Sequence, residues 1–107
     1  MRVLLDECVP HPLKRDLAGH SVNTVPEMRW QGIENGELLR RMRETGFEAF
    51  VTVDQNLTYQ QNLQAAGIRV VVLAARTNKL RDLRPLVPSL REALTRLQPG
   101  EIAIVSA

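Results

Sequence analysis

The sequence predicts an α/β protein, a three-layer α/β/α sandwich around a mostly parallel central sheet. Two observations lead there. Short apolar runs rich in β-branched residues recur along the chain, and segments with helical spacing of apolar residues separate them. The runs are apolar almost throughout, which suits strands buried on both faces of a parallel sheet joined by right-handed helical crossovers.

The strands read as "VLL" at 3–5, "AFVTV" at 49–53, "VVVL" at 70–73 and "IAIV" at 102–105. The segment "SVNTV" at 21–25 alternates instead, which predicts a less buried strand nearer an edge. Between them, "HPLKRDLAG" has a proline suited to a first helical turn and a stop at Gly19. "NGELLRRMRETG" places Leu38, Leu39 and Met42 on one face and ends at Gly46, an amphipathic helix with Asn35 positioned to cap it. "NLTYQQNLQAAG" is a weaker helix with Leu57 and Leu63 inward, ending at Gly67. The last helical stretch spaces Leu86, Leu90, Leu94 and Leu97 down one face, with Pro85 and Pro88 expected to make its beginning irregular or restart it.

A length of 107 residues sets one domain, 1–107, with a single core. The balance of 44% hydrophobic and 24% charged residues is that of a soluble globular protein, and no apolar run nears the roughly 20 residues that span a bilayer. After Arg2 only three apolar residues precede an acidic pair, so no signal-peptide core is read and a cytoplasmic location is expected. Cys8 is the only cysteine, which excludes an intramolecular disulfide and a multi-cysteine zinc site. Net charge is +2, but residues 1–68 hold seven Lys or Arg against nine Asp or Glu, and residues 69–107 hold seven against three. An acidic part joined to a basic part suits a metal site beside a phosphate-binding surface, and it equally suits ordinary solvated charge.

In open α/β sheets ligands bind beyond the carboxyl ends of the strands. Asp6 and Glu7 leave the first strand, Asp54 leaves "FVTV", and Glu37 lies in the first turn of the "NGELL" helix. If the first and third of these strands are neighbours, Asp6 and Asp54 join one cluster and the helix brings in Glu37. Such carboxylates repel one another unless they share a hard cation such as Mg²⁺ or Mn²⁺, which could support phosphodiester hydrolysis. Each acid also has an ordinary structural reading: Asp54 and Asn56 as an Asx turn and helix cap, Glu37 as a residue favoured by the helix dipole. No Gly-rich phosphate loop is present. His11 and His20 are not spaced as a metal pair, and Cys8, Trp30 and Tyr59 read first as packing residues, although Trp30 and Tyr59 could also stack on bases. The amides Asn56, Gln60, Gln61 and Asn62 could support the carboxylates, and Arg76, Lys79, Arg81 and Arg84 form a basic run suited to nucleic-acid backbone.

Taken in order, "LLDECVP", "GHSVNTV", "GIENGELLRRM", "FVTVDQNL" and the later "VVVL" cover essentially the whole chain. Together they resemble a PIN-like family first described as a domain of unknown function, predicted nucleases of toxin–antitoxin type. The resemblance implies the PIN fold, an Mg²⁺ or Mn²⁺ site and cleavage of RNA, with an antitoxin protein and a homodimer as partners. The resemblance puts family acids at Asp6 and Asp54; with the residue reading it gives Asp6, Glu37 and Asp54 as expected metal ligands and catalytic residues, Glu7, Asn35 and Asn56 in support, and the basic run Arg76, Lys79 and Arg81 on RNA. Asn35 and Asn56 stand where the family pattern has acids. Each exchange keeps an oxygen and removes a charge, so weaker metal binding is expected. The expected function is therefore a metal-dependent ribonuclease, the toxin of a toxin–antitoxin pair; the alternative is a non-catalytic PIN-like module that binds RNA or a protein through a degenerate metal site. A phosphoacceptor receiver domain shares the strand-end acids but needs a lysine at the end of a late strand, which is lacking here.

Overall fold

The computed structural model describes residues 1–106, apart from the side chain of Leu57. Five strands form one parallel sheet: β1 (Arg2–Leu5), β2 (Ser21–Thr24), β3 (Ala49–Thr52), β4 (Arg69–Ala74) and β5 (Ile102–Ser106). Their spatial order is β2-β1-β3-β4-β5. The α/β class read from the sequence is the observed one, and "SVNTV" forms an edge strand as expected.

Alternation along the strands sends side chains to two cores. Val3, Leu5, Val51, Val71 and Leu73 pack on one side with Leu13, Leu90 and Leu94. Leu4, Phe50, Val70 and Val72 pack on the other with Leu38, Met42 and Leu63. Phe50, Leu4 and Leu5 are fully buried. Both faces of the central strands are thus apolar, which is why they read as continuous runs.

The helices are α1 (Asn35–Thr45), α2 (Leu57–Ala65), α3 (Leu80–Leu83) and α4 (Val87–Arg96). Gly46 closes α1 in the left-handed region at φ 84°, its N–H donating to the carbonyls of Met42 and Arg43, a stop that a residue with a Cβ would strain. At the last helical stretch α3 gives way to a 3₁₀ turn at Arg84–Leu86, and α4 restarts with Pro88 in its first turn. Leu86, Leu90, Leu94 and Leu97 are all buried, as their spacing predicted.

Two local expectations are corrected. Residues His11–Leu17 form a 3₁₀ helix and not an α-helix; the segment is short, follows Pro10 and has no side-chain cap, and it is held mainly by buried Leu13 and Leu17. Asn35 does not cap α1: Glu34 occupies the cap position without a side-chain bond, and Asn35 is the first helical residue. The expected inward placement of Leu57 lies outside the described residues. No described helix is long and apolar enough to cross a membrane.

Phe50 of β3 is fully buried and packs edge to face on Tyr59 of α2. Phe50→Ala should lower unfolding free energy by about 3–5 kcal/mol in urea denaturation, and a cost below about 1 kcal/mol would show that the site relaxes around the lost ring.

Candidate functional site

Strand order determines where a ligand can go. The chain runs from β1 outward to β2, then returns to place β3 on the other side of β1. The crevice at the carboxyl ends of β1 and β3 is therefore a topological switch point, the usual ligand position in such sheets. Asp6 follows β1 and Asp54 follows β3 by two residues. Both line one depression of about 370 Å³, within the range of small-ligand sites, together with Asn35, Trp30 and Tyr59.

A dense local network holds the two acids. The Asp6 N–H donates to the Val51 carbonyl at 2.9 Å, so the β1–β3 ladder extends to Asp6 itself. Its Oδ1 accepts from the Glu7 N–H at 2.8 Å, and its Oδ2 accepts from the Thr52 hydroxyl at 2.8 Å and from the Cys8 thiol at 3.6 Å. The same Thr52 Oγ1 accepts from the Asp54 N–H at 2.9 Å. Thr52, 2% exposed at the end of β3, thus ties the side chain of one acid to the backbone of the other.

Asp54 is fixed from its other side as well. Its Oδ1 accepts from the Asn56 N–H at 3.0 Å, and Asn56 Oδ1 caps α2 by accepting from the Tyr59 N–H at 3.0 Å. The buried Gln60 donates from Nε2 to the Asp54 carbonyl at 2.9 Å. Asp54 and Asn56 therefore do form the Asx turn and cap that their spacing suggested. Of the amide run, Asn56 and Gln60 support the acid, while Gln61 and Asn62 are exposed.

Glu37 is the exception. Its Oε1 and Oε2 accept from Arg40 at 2.7 and 2.6 Å, and Oε2 also accepts from Arg41 at 3.0 Å. It lies on the α1 surface and does not line the depression. The structure thus brings Asp6 and Asp54 together but not Glu37: among the described residues no three His, Cys, Asp or Glu side chains converge as metal ligands. The reason is local, since arginines three and four residues on compete for the carboxylate. Glu7 is exposed at the rim and belongs equally to the neighbouring hollow lined by His11 and Asn78.

The residues that remain fit a modest hard-cation site. Mg²⁺ is commonly held by one or two carboxylates, with water and substrate phosphates completing its shell. Asp6 and Asp54 supply two carboxylates, no described donor reaches Asp54 Oδ2, and Asn35 adds an exposed amide at the wall. Burial, with the charge of Asp6 adding to it, pushes the Cys8 thiol up, so Cys8 is a neutral thiol and not a nucleophilic thiolate.

The basic run lies close to this end of the sheet. Asn78 donates from Nδ2 to the Cys8 carbonyl at 3.1 Å, fastening the loop after β4 to the loop after β1. Arg76, Lys79 and Arg81 are exposed and make no ion pair among the described residues, whereas Arg84 pairs with Asp16 at 3.2 Å. A larger hollow of about 490 Å³ runs along the outer face of α1, but its polar lining, Arg40, Arg43 and Glu44, includes neither strand-end acid. His20 is held below its ordinary value by burial, then by the charges of the N-terminus and Arg91, and lines a separate hollow. Comparison with protein-family models, curated proteins and solved structures finds no match for the chain.

From sequence no role is assigned to Thr52, which the structure sets between the two acids. Its signal was the spacing T-x-D at a strand end, which puts a hydroxyl one residue short of the acid-bearing turn. Thr52→Val keeps the shape and removes both bonds, and should cost about 1–3 kcal/mol of stability, measured by thermal or urea unfolding; an unchanged midpoint would mean the two acids are held without it.

Glu37 yields a pH test. The guanidiniums of Arg40 and Arg41 hold its carboxyl down at about 2, from an ordinary 4.5. Because the folded value is the lower one, its contribution is full above pH 4.5 and fades as pH falls toward 2. The pairs are exposed, so the effect is small and salt-screened. Wild type should exceed Glu37→Gln in thermal midpoint at neutral pH and low salt, and the two should merge near pH 2; a gap that persists there would point to another cause.

Proposed function

We propose that the chain is a PIN-like α/β/α sandwich acting as a metal-dependent ribonuclease, with Asp6 and Asp54 holding one Mg²⁺ or Mn²⁺ at the β1–β3 crevice. One observation carries this reading: Asp6 and Asp54, from adjacent strand ends, line the same depression, and Thr52 ties the Asp6 carboxylate to the Asp54 backbone. The resemblance in "LLDECVP" and "FVTVDQNL" falls on those same two acids.

The cation, when bound, supplies charge stabilisation for a phosphodiester under attack. The chain's own residues do the rest. Asp6 is oriented by three donors, so its remaining lone pair keeps a fixed direction. Asp54, an exposed residue whose Oδ2 no described donor reaches, is the group available to accept a proton from an attacking water. Asn35 can donate to a phosphate oxygen, and Arg76, Lys79 and Arg81 would hold flanking phosphates by charge. Glu37, Glu7 and Asn56 act at most through structure: an α1 ion pair, a rim charge and the α2 cap.

A second reading has its own observation. Because Glu37 is engaged by arginines and a third carboxylate is lacking among the described residues, the same depression could bind RNA or a protein without cutting. In either case an antitoxin protein and a second copy of the chain are the partners that the family likeness suggests.

Cleavage of single-stranded RNA with Mg²⁺ or Mn²⁺ separates the readings. Asp6→Asn and Asp54→Asn should each reduce the rate on the order of a hundredfold or more, and Glu37→Gln should stay near wild type. Metal-dependent cleavage untouched by either aspartate substitution would overturn the site assignment, and absence of cleavage by wild type would favour the binding module.

A further inference from the structure

Tyr59 plays no part in the scheme above, yet its hydroxyl has no evident structural use. The side chain is 6% exposed, and its oxygen is buried without a hydrogen-bond partner among the described residues. The ring packs edge to face on Phe50, with centroids 5.8 Å apart, and lines the same depression as Asp6 and Asp54. Phenylalanine would make that contact equally well and would avoid the penalty of an unpaired buried hydroxyl. Packing therefore accounts for the ring and leaves the oxygen unexplained.

The chemistry around it indicates what the oxygen is for. Burial, reinforced by the negative charge of Asp6, pushes the phenol above its ordinary value, so it stays protonated as an O–H donor. Asp6 and Asp54 offer acceptors, and Tyr59 brings a donor that none of them uses. A ligand with its own oxygens, bound beside the two acids, would satisfy that donor. We propose that Tyr59 donates a hydrogen bond to an oxygen of a nucleotide bound in the depression, either a non-bridging phosphate oxygen or a ribose 2′-hydroxyl; this rests on the nucleic-acid reading of the site. The hydroxyl is closed to bulk water, so contact takes a small displacement of a neighbouring side chain, of the kind common when ligands bind. Tyr59 is in this role a ligand-contacting residue, seated by the Asn56 cap that receives its own N–H.

The test uses wild type and Tyr59→Phe with a short single-stranded RNA and the DNA of the same sequence, with Ca²⁺ replacing Mg²⁺ to hold back cleavage. Binding is read by fluorescence anisotropy. Tyr59→Phe should weaken binding about tenfold, the equivalent of one lost hydrogen bond. Loss on both oligonucleotides assigns the contact to phosphate, and loss on RNA alone assigns it to the 2′-hydroxyl. Tyr59 is the chain's only tyrosine, so a ¹³Cζ tyrosine label gives one resonance that should shift on binding. The thermal midpoint of the free Tyr59→Phe protein should equal or exceed that of wild type. A lower midpoint would show a bond within the fold and overturn the proposal. Binding of both oligonucleotides by the variant as tightly as by wild type, with the wild-type resonance unmoved, would overturn it while leaving the nucleic-acid reading standing. Failure of wild type to bind either oligonucleotide would overturn both.

Discussion

The hydroxyl of Thr52, set between Asp6 and Asp54, depends on the register of β1 against β3, and the candidate site depends on that hydroxyl. The register pairs Val3 with Ala49, Leu4 with Phe50 and Leu5 with Val51, and the ladder bond from Asp6 to Val51 carries it one step further. A slip of one residue would exchange the faces of β3 relative to β1 and carry Thr52 away from Asp6. Phe50 resists such a slip, because its ring has a fitted place against Tyr59 on one face while Ala49 and Val51 meet the opposite core. Packing of an apolar ring inside the sheet thus helps to hold the register that sets Thr52 between the two acids.

Electrostatics then shapes what the site can hold. Asp6 and Asp54 are surrounded by donors from Thr52, Cys8 and the backbone N–H groups of Glu7 and Asn56, which orient the carboxylates and leave Asp54 Oδ2 without a described donor. Asn35 and Asn56 contribute amide oxygens without charge, and Asn56 spends its oxygen on capping α2. A site of this composition suits a cation that keeps much of its water and takes further oxygens from a phosphate. The exposed Arg76 and Lys79 at the neighbouring loop supply opposite charge for the same kind of ligand.

Much of this was legible in the sequence where local chemistry settled the outcome. The β-branched runs became the five strands, Gly46 stopped α1 and the two prolines broke the last helical stretch into α3 and α4. That Asp6 and Asp54 share one end of the sheet was readable because strand ends in an α/β pattern face one way. Strand order was not readable, since no residue in β1 or β3 names its neighbour. Glu37 misled because a first-turn acid looks like a ligand, although Arg40 and Arg41 at helical spacing were there to claim it. Thr52 has no role in the sequence and Tyr59 reads there as core packing, because a hydroxyl at a strand end or in a core declares nothing until its partners, or the lack of them, are seen.

Paramagnetic broadening of backbone amide signals by substoichiometric Mn²⁺ tests the shared cation site most directly, because it maps the ion without requiring activity. Broadening centred on residues 6–8 and 52–56, and lost in both Asp6→Asn and Asp54→Asn, is the expected result. Broadening centred instead on the Glu37 and Glu44 face of α1, or spread over the surface without a centre, would contradict a cation held between β1 and β3.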